Sequence, residues 1–170
     1  WARTVTCKNC RATIPLLKTR WLCKKEKKRV LLTMEPNSEK TGMVFGIEVN
    51  APVKGGNTAQ RREHDKRIGA GTMTRSGAQC PCCGTIMTTL DMKIEGRGNG
   101  INNTPTAVVV DGIEGKEYRL PTATENAAAT IPDRVLQDSF ADIPFGLPDE
   151  PLPTADRHRA VGSQLPGYGV

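Results

Sequence analysis

Two Cys-x-x-Cys pairs, far apart in sequence, constrain the fold of this chain more than any other feature. The stretch "CKNC" holds Cys7 and Cys10, and "QCPCCG" holds Cys80, Cys82 and Cys83. Two residues between paired cysteines let one tight turn direct both sulfurs at a single ion, and four thiolates satisfy the tetrahedral preference of zinc. We therefore predict one structural zinc ion, held by a split zinc ribbon whose two halves are joined by a large insertion.

The second cluster leaves one choice open, because Cys82 could replace Cys83 as the fourth ligand. Gly84 favours Cys83, since a glycine directly after the last ligand supplies the backbone freedom that such a turn often needs. A thioredoxin-like redox pair is disfavoured, because the alternating strand–helix pattern of that fold is missing. With Cys82 as the spare, the predicted zinc ligands are Cys7, Cys10, Cys80 and Cys83.

The remaining cysteine and the two histidines are predicted to have no ligand role. Cys23 ends the apolar stretch "RWLC", where a free cysteine behaves as a small buried hydrophobe. His64 and His158 stand in polar surroundings without paired spacing, so we expect both side chains to be solvated. Four thiolates close the coordination sphere of zinc, whereas a catalytic zinc keeps one position open. No enzyme activity, and no catalytic residue, is therefore predicted for this chain by itself.

The composition is consistent with a fold that needs a metal. Hydrophobic residues make up 37% of the 170 residues and aromatic residues 4%, which leaves little material for a core. A thin core of this kind is commonly stabilised by a metal or by packing on a larger protein. No secretory signal opens the sequence, so we expect reduced cysteines and a cytoplasmic location. Because the sequence begins with Trp1 rather than Met, we also expect it to be processed, incomplete or cut from a longer polypeptide.

The formal charge of +6 is unevenly distributed along the chain. Residues 1–75 hold 17 Lys and Arg against 6 Asp and Glu, whereas residues 76–170 hold 7 against 12. A basic half of this kind is typical of a surface that faces a polyanion such as DNA, although a solvated surface within a larger assembly explains it equally well. The candidate phosphate contacts are Lys24, Lys25, Lys27, Lys28, Arg29, Arg61, Arg62, Lys66 and Arg67.

The residue pattern predicts a fold that is mainly β with a little α, made of small antiparallel hairpins and a meander around the split zinc ribbon. Residues 1–121 are the predicted zinc-ribbon lobe, with a basic hairpin at 18–34 and a flexible loop at 52–71. The stretch "PTAVVVDGIEGKEYRLP" at 105–121 predicts a further hairpin.

The remainder of the chain is predicted to be helical and then extended. Residues 122–142 favour two short helices, with Thr124 as the N-cap of the first and Pro132 interrupting the helical pattern. Residues 143–170 are rich in proline, and we expect an extended acidic tail without a core of its own.

Several unrelated landmarks also occur in one order along the chain. They are "CKNCRATIPLLKTRWLCKKEKKRVLL", "GTMTRSGAQCPCCGTI", "AVVVDGIEGKEYRLPTATENAAA", "LPDEPLP" and "PGYGV". That order resembles the zinc-ribbon region of a family of large adenine-specific DNA methylases, in which Cys-x-x-Cys, "IPL" and a basic strand precede Cys-Pro-x-Cys-Gly, a "Y-x-x-P" hairpin and a terminal "YG". The resemblance spans nearly all of the chain and is weakest around residues 50–68.

The resemblance implies that the chain belongs to a parent methyltransferase that uses S-adenosylmethionine. The four predicted ligands take the ligand positions of the family, and Cys82 falls on a variable position. The chain departs from such methylases in one respect, because it contains neither an Asn/Asp-Pro-Pro-Tyr motif nor the glycine-rich motif for S-adenosylmethionine. A segment of this kind is expected to help bind or position DNA, without the methyl-transfer active site.

Two functions from different classes therefore compete. The first is a zinc-binding segment that contacts DNA within a methylase. The second is a purely structural, zinc-stabilised insert or protein-docking module, whose tail packs on the rest of the parent methylase or on a partner protein. A zinc ribbon of an unrelated transcription or translation type is a third alternative. No membrane contact is predicted, since no apolar run approaches the roughly 20 residues of a membrane span.

Overall fold

The computed structural model describes residues 1–98, 100–113, 115–141 and 143–144, without the side chains of Asp133 and Leu136. The chain divides into two units, Trp1–Pro121 and Thr122–Val170. The predicted extended tail at 143–170 lies outside the described residues, apart from its first two positions. None of the described helices is long and apolar enough to cross a membrane.

The described elements are small antiparallel sheets and a few short helices, which confirms the predicted fold class. The strands are β1 (Ala2–Thr6), β2 (Thr13–Pro15), β3 (Trp21–Lys25), β4 (Lys28–Pro36), β5 (Met43–Val49), β6 (Met73–Thr74), β7 (Gly77–Gln79), β8 (Ile86–Met87), β9 (Asn102–Thr104), β10 (Val108–Gly112) and β11 (Gly115–Arg119). The helices are α1 (Thr58–Ile68), α2 (Thr89–Gly98), α3 (Ala123–Ala128) and α4 (Asp133–Phe140).

Two three-stranded sheets form the ribbon, and each contains one of the Cys-x-x-Cys turns. In the first sheet β1 lies between β2 and β9, and in the second sheet β7 lies between β6 and β8. All of these pairings are antiparallel. The two sheets and α2 bury only a few apolar side chains, namely Ala2, Val5, Ile14, Pro15, Ala78, Met87 and Met92. A core of this size is what the composition led us to expect.

The insertion between the two halves of the ribbon is a three-stranded meander followed by α1. Its sheet has the order β3-β4-β5, and the β3–β4 hairpin closes at the pair Lys25 and Lys28, within the predicted basic hairpin. Three consecutive side chains of the central strand β4 are buried, namely Val30, Leu31 and Leu32. Since successive residues of a strand point to opposite faces, both faces of β4 are covered here.

Helix α1 replaces most of the flexible loop predicted at 52–71, so that prediction was wrong. The side chain of Asn57 accepts a hydrogen bond from the Gln60 N–H, and the Gln60 side chain accepts one from the Asn57 N–H, which forms a capping box. At the other end, the Arg20 guanidinium donates to the carbonyl oxygens of Ile68 at 2.7 Å and Ala70 at 2.9 Å. The helix is stable despite its charged sequence because both of its ends are satisfied.

The hairpin predicted at 105–121 is formed by β10 and β11, which pair from Val108 and Arg119 to Gly112 and Gly115. It lies against the basic hairpin, since Nζ of Lys28 donates to the carbonyl oxygen of Lys116 at 2.5 Å. The insertion and this hairpin are therefore in contact.

The second unit begins with two short helices, α3 and α4, as predicted for 122–142. Thr122, and not Thr124, is the N-cap of α3, because its hydroxyl accepts from the N–H of Glu125 while the Glu125 carboxylate accepts from the Thr122 N–H. Thr124 was the wrong choice because the acidic partner of a capping box must stand three residues after the cap. Pro132 is the N-cap of α4.

Candidate metal centre

The side chains of Cys7, Cys10, Cys80 and Cys83 come together, with all four sulfur atoms within 4.8 Å of one another. The Sγ atoms of Cys7 and Cys83 are 3.7 Å apart, and so are those of Cys10 and Cys80. A tetrahedral zinc with metal–sulfur bonds of about 2.3 Å has sulfur–sulfur edges of about 3.8 Å, whereas a disulfide bond is about 2.05 Å long. The spacing of these free thiols therefore suits one metal ion.

The two Cys-x-x-Cys turns share one backbone hydrogen-bond pattern. In each turn the first cysteine donates its N–H to the carbonyl five residues later, and the residue four positions on donates back to the cysteine carbonyl. The bonds are Cys7 N to Ala12 O (2.8 Å), Arg11 N to Cys7 O (3.0 Å), Cys80 N to Thr85 O (2.9 Å) and Gly84 N to Cys80 O (2.8 Å). The chain therefore reaches the metal centre twice by the same local structure, each time at the tip of an antiparallel hairpin.

The residue after each second ligand adopts a left-handed backbone, with φ of 60° at Arg11 and 75° at Gly84. This conformation is free of strain only for glycine, as expected at Gly84. Arg11 is not a glycine, so its left-handed backbone is strained. Its guanidinium lies 2.8 Å from the Glu95 carboxylate. The first turn is therefore the less relaxed of the two.

The shared pattern also distinguishes Cys83 from Cys82. Cys83 stands three residues after Cys80, just as Cys10 stands three residues after Cys7, and its sulfur joins the cluster. The Sγ of Cys82 points instead to the carbonyl oxygen of Gly42, at 3.9 Å. The choice of Cys83 over Cys82 thus agrees with the geometry.

The thiols of the second turn differ in how readily they ionise. Burial raises the pKa of Cys80 above its ordinary value. Hydrogen bonds from the side chain and backbone of Thr85 lower the pKa of Cys83 to about 5. Since metals bind thiolates, this lowered pKa favours the form of Cys83 that binds a metal. A negative charge on buried Cys80 needs a cation beside it, which is what a bound metal supplies.

Helix α2 follows the second turn and holds the first one by two ion pairs. Nζ of Lys8 lies 2.6 Å from the Asp91 carboxylate, and Arg11 pairs with Glu95. Asp91 also joins Thr88 at the start of the helix: its carboxylate accepts from the Thr88 N–H at 2.8 Å, and its own N–H donates to the Thr88 hydroxyl at 3.2 Å. Asp91 and Glu95 were not among the predicted site residues. Their spacing was a usable signal, because residues four apart lie on one face of a helix.

Arg29, a predicted phosphate contact, is instead part of the packing between β4 and α1. Its guanidinium donates to Asp65 Oδ1 at 2.5 Å and to the carbonyl oxygen of Ala51 at 3.0 Å, and it lies 4.7 Å from the centre of the Trp21 ring. Lys24 is paired with the same carboxylate at 2.9 Å. Arg29 first, and then Lys24, lower the pKa of Asp65 to about 2. Arg29 is therefore withdrawn from the candidate DNA contacts.

The other predicted DNA contacts keep their side chains at the surface or at its edge. Lys28 is half-buried and bonded to Lys116, as described above. The exposed members of the set are Lys24, Lys25, Lys27, Arg61, Arg62, Lys66 and Arg67. Lys24 is exposed although it is ion-paired. The structure gathers four of the set on one helix, α1, which sequence reasoning had placed in a loop.

Two further predictions concern side chains near this helix. The expectation that His64 is solvated was wrong, because 12% of its side chain is exposed and its Nδ1 is buried without a hydrogen-bond partner among the described residues. His158 lies outside the described residues. Cys23 is half-buried, and its side chain raises the pKa of the neighbouring Tyr118 hydroxyl. Cys23 therefore packs between the insertion and the last hairpin of the first unit, away from the metal centre.

What the geometry establishes is four cysteine sulfurs placed to hold one metal ion. They come from two turns of the same backbone structure, and α2 fastens one turn to the other. No protein-family model, no curated protein and no solved structure matches this chain.

Proposed function

We propose that this chain is the zinc-binding segment of an adenine-specific DNA methyltransferase, and that it helps to bind or position DNA. The observation that carries the zinc-binding part of the proposal is the cluster of four cysteine sulfurs within 4.8 Å. Tetrahedral sites with four thiolates are typical of structural zinc, and their closed coordination leaves no place for a substrate. The zinc is therefore a folding element, and methyl transfer with S-adenosylmethionine belongs to the parent protein. A cytoplasmic location would keep the thiols reduced.

Zinc has a clear physical task in this fold. The two halves of the ribbon come from residues that are far apart in sequence, and each half buries few apolar side chains. The ion pairs Lys8–Asp91 and Arg11–Glu95 join the halves at the surface, where such pairs contribute about 0–1 kcal/mol each. Metal binding supplies far more, because it contributes directly to the free energy of folding.

The basic surface supports the DNA part of the proposal. Lys25 and Lys27 at the tip of the basic hairpin are exposed, as are Arg61, Arg62 and Lys66 on α1. Such side chains bind phosphates and position a protein on DNA without reading its sequence. A methylase must also flip its target base out of the stack, so a segment that grips the backbone nearby is useful to it. The order of the sequence motifs, which resembles that of the methylase family, supports the parentage.

The DNA part is tested by titrating the zinc-loaded chain against a fluorescent DNA duplex and measuring anisotropy. We expect binding that weakens at least tenfold between about 50 and 200 mM salt, because each phosphate contact releases a counterion. Affinity that does not change with salt, or the absence of binding at the lower salt concentration, would contradict DNA contact.

The parentage is tested separately on the longer polypeptide that contains this chain. We expect it to include an Asn/Asp-Pro-Pro-Tyr motif and to transfer a labelled methyl group from S-adenosylmethionine to adenine in DNA. A longer polypeptide that lacks the motif and transfers no label would refute the methylase assignment, whatever the outcome for DNA binding.

A protein-docking role is the second candidate, and one surface feature favours it. Ile86, Leu90 and Ile94 are 50%, 66% and 60% exposed. Leu90 and Ile94 are four residues apart on α2 and therefore share one face of the helix. A parent methylase or another protein could cover these side chains. Replacing Leu90 and Ile94 with Gln should then weaken association with the rest of the parent protein, measured by pull-down, and leave DNA affinity unchanged.

A further inference from the structure

A cleft of about 380 Å³ opens beside α1 in the first unit, between that helix, β3 and the chain that leads into β6. Four of the residues that line it are basic and one is acidic: Lys18, Lys24, Arg62, Lys66 and Asp65. The Trp21 side chain forms part of its wall. Lys18 stands at the start of the predicted basic hairpin but is not one of the predicted phosphate contacts, and only the tertiary structure brings it to α1.

The wall of this cleft is held firmly in place. The indole N–H of Trp21 donates to the carbonyl oxygen of Asp65 at 3.0 Å. A Cβ atom at Gly69 would collide with the Trp21 indole, and one at Gly71 would collide with the carbonyl of Leu17. The backbone that leaves α1 therefore passes directly against β3 and the segment before it, which leaves little freedom for the cleft to close.

The charges in the cleft do not cancel. Among the described residues that line the cleft, Asp65 is the only acidic one, and it is already neutralised by Arg29 at 2.5 Å and by Lys24 at 2.9 Å. Lys18, Arg62 and Lys66 form no ion pair with any other residue that the structure describes. Three cations that have no ion-pair partner among the described residues repel one another around this cleft, and an anion placed between them would relieve that repulsion.

We propose that this cleft binds a backbone phosphate of DNA, with Lys18, Arg62 and Lys66 as its ligands. The guanidinium of Arg62 can bind two phosphate oxygens at once, and the two lysines supply compact positive charges beside it. This inference rests on the proposed DNA contact. It places the main phosphate contact beside α1 rather than at the tip of the basic hairpin. It also assigns a role to Lys18. Arg29, which does not line the cleft, and Lys24, which does, neutralise Asp65 and are not counted among the phosphate ligands.

The test compares three variants of the zinc-loaded chain in the same anisotropy titration with duplex DNA. The cleft variant is Lys18→Gln/Arg62→Gln/Lys66→Gln, and the charge-matched control is Arg3→Gln/Lys93→Gln/Arg97→Gln, whose positions are exposed and do not line the cleft. The third variant, Lys25→Gln/Lys27→Gln, removes the hairpin tip. Zinc content and circular dichroism should be unchanged in all three, because the replaced side chains have no partner among the described residues.

We expect the cleft variant to lose at least tenfold in affinity, and the slope of log affinity against log salt to become shallower by about 2 to 3, since each lost phosphate contact contributes about 0.9. The loss of DNA affinity in the control should be smaller than the loss in the cleft variant by a factor of about three or more. If the cleft variant and the control behave alike, or if the hairpin variant loses more, the cleft is refuted while DNA binding stands. If the unmodified chain does not bind DNA, both proposals fail.

A second measurement reports on the cleft directly. The chain has two tryptophans, so Trp1→Phe leaves Trp21 as the only indole. DNA should change the Trp21 emission of this variant, and the added cleft substitutions should abolish the change. DNA that binds without changing the emission would place the contact elsewhere. Poly-glutamate and tripolyphosphate are then added as competitors at equal charge concentration. Displacement of the duplex by poly-glutamate would show that the cleft prefers an acidic peptide, and displacement by tripolyphosphate would show that it prefers a free phosphate. Either result would overturn the assignment to DNA.

Discussion

At the scale of single residues, Arg11 and Gly84 show how two equivalent turns can differ in strain. Both have a left-handed backbone, with φ of 60° and 75°, but only one of them is a glycine. A Cβ atom at Gly84 would meet no other atom within 4 Å, so any cost of a side chain there comes from the backbone alone. A substitution at Gly84 therefore measures the energetic cost of a left-handed backbone in this turn, without a contribution from steric contacts.

We predict that Gly84→Ala lowers the free energy of unfolding of the zinc-loaded chain by about 1 kcal/mol, the cost of a left-handed L-residue. The measurement is chemical denaturation at saturating zinc. Gly42→Ala is the matched control, because Gly42 also has open space around it and no positive φ. It should be neutral or slightly stabilising, since alanine restricts the unfolded chain. Equal effects of the two substitutions would argue against strain at Gly84.

Cys82 and Cys83 are adjacent residues with the same chemistry and different surroundings. We predict that Cys83→Ser reduces zinc affinity by at least tenfold, because three thiolates remain at the centre, whereas Cys82→Ser leaves affinity unchanged. Competition with a chromogenic zinc chelator measures both. The two variants control for each other, since both remove one thiol from the same turn. A loss in Cys82→Ser that equals the loss in Cys83→Ser would refute the ligand assignment.

At the scale of elements, the least predictable feature was α1. Only Asp65 is buried among its residues, so the helix has no apolar stripe, which is the usual signal of a helix in sequence. The Asn57–Gln60 capping box was present in the sequence but stands next to Gly55 and Gly56, which suggested a loop. Polar contacts hold the helix on the meander instead, among them the pairing of Asp65 with Arg29 and Lys24.

This pairing makes the attachment of α1 sensitive to acid. The folded-state pKa of Asp65 is lowered to about 2 from 3.8, so its contribution to stability is fully present above pH 4 and is lost as the pH falls from 4 toward 2. We predict that Asp65→Asn costs about 3 kcal/mol at neutral pH, since it leaves Arg29 partly buried without its counter-ion.

The measurement is the free energy of unfolding of the unmodified chain and of Asp65→Asn at a series of pH values. The difference between the two should be constant from pH 7 to about pH 4 and should then shrink, because protonation gives the unmodified chain the same neutral side chain. Taking the difference cancels any release of metal by acid, which affects both proteins. A difference that does not change below pH 4 would show that the ion pairs do not stabilise the helix.

At the scale of the whole molecule, the metal centre joins two halves of a ribbon that an insertion separates. The insertion has its own buried residues in β4 and its own ion pair between β4 and α1, whereas the four clustered cysteines belong to the ribbon. We predict one zinc per chain by metal analysis, and loss of the ribbon on chelation.

Hydrogen exchange before and after chelation is the measurement for this prediction. Amides of β1 and β7 should lose protection, while those of β4 should lose less. Cys83→Ser provides the control, because a chain with a weakened site should respond to less chelator. A chain that contains no metal when purified under reducing conditions, or that has the same protection after chelation, would contradict a structural zinc.

The sequence by itself determined the metal turns, the antiparallel hairpins and the separation of two short helices. These features depend on residues close together in the chain, such as the spacing of two cysteines, a glycine after the second, or a proline between helices. Residue spacing therefore predicted the four clustered cysteines and the β class, but it placed Thr124 at a cap that belongs to Thr122.

Only the tertiary structure decided which charges are free. Arg29 looked like any other member of a basic run, yet packing brings Asp65 and Trp21 to it and removes it from the surface. Packing also brings Lys18 beside Arg62 and Lys66, which are far from it in sequence. The physical reason is that the partner of a charge depends on which distant segments meet, and the energy of an ion pair depends on burial that no local pattern records.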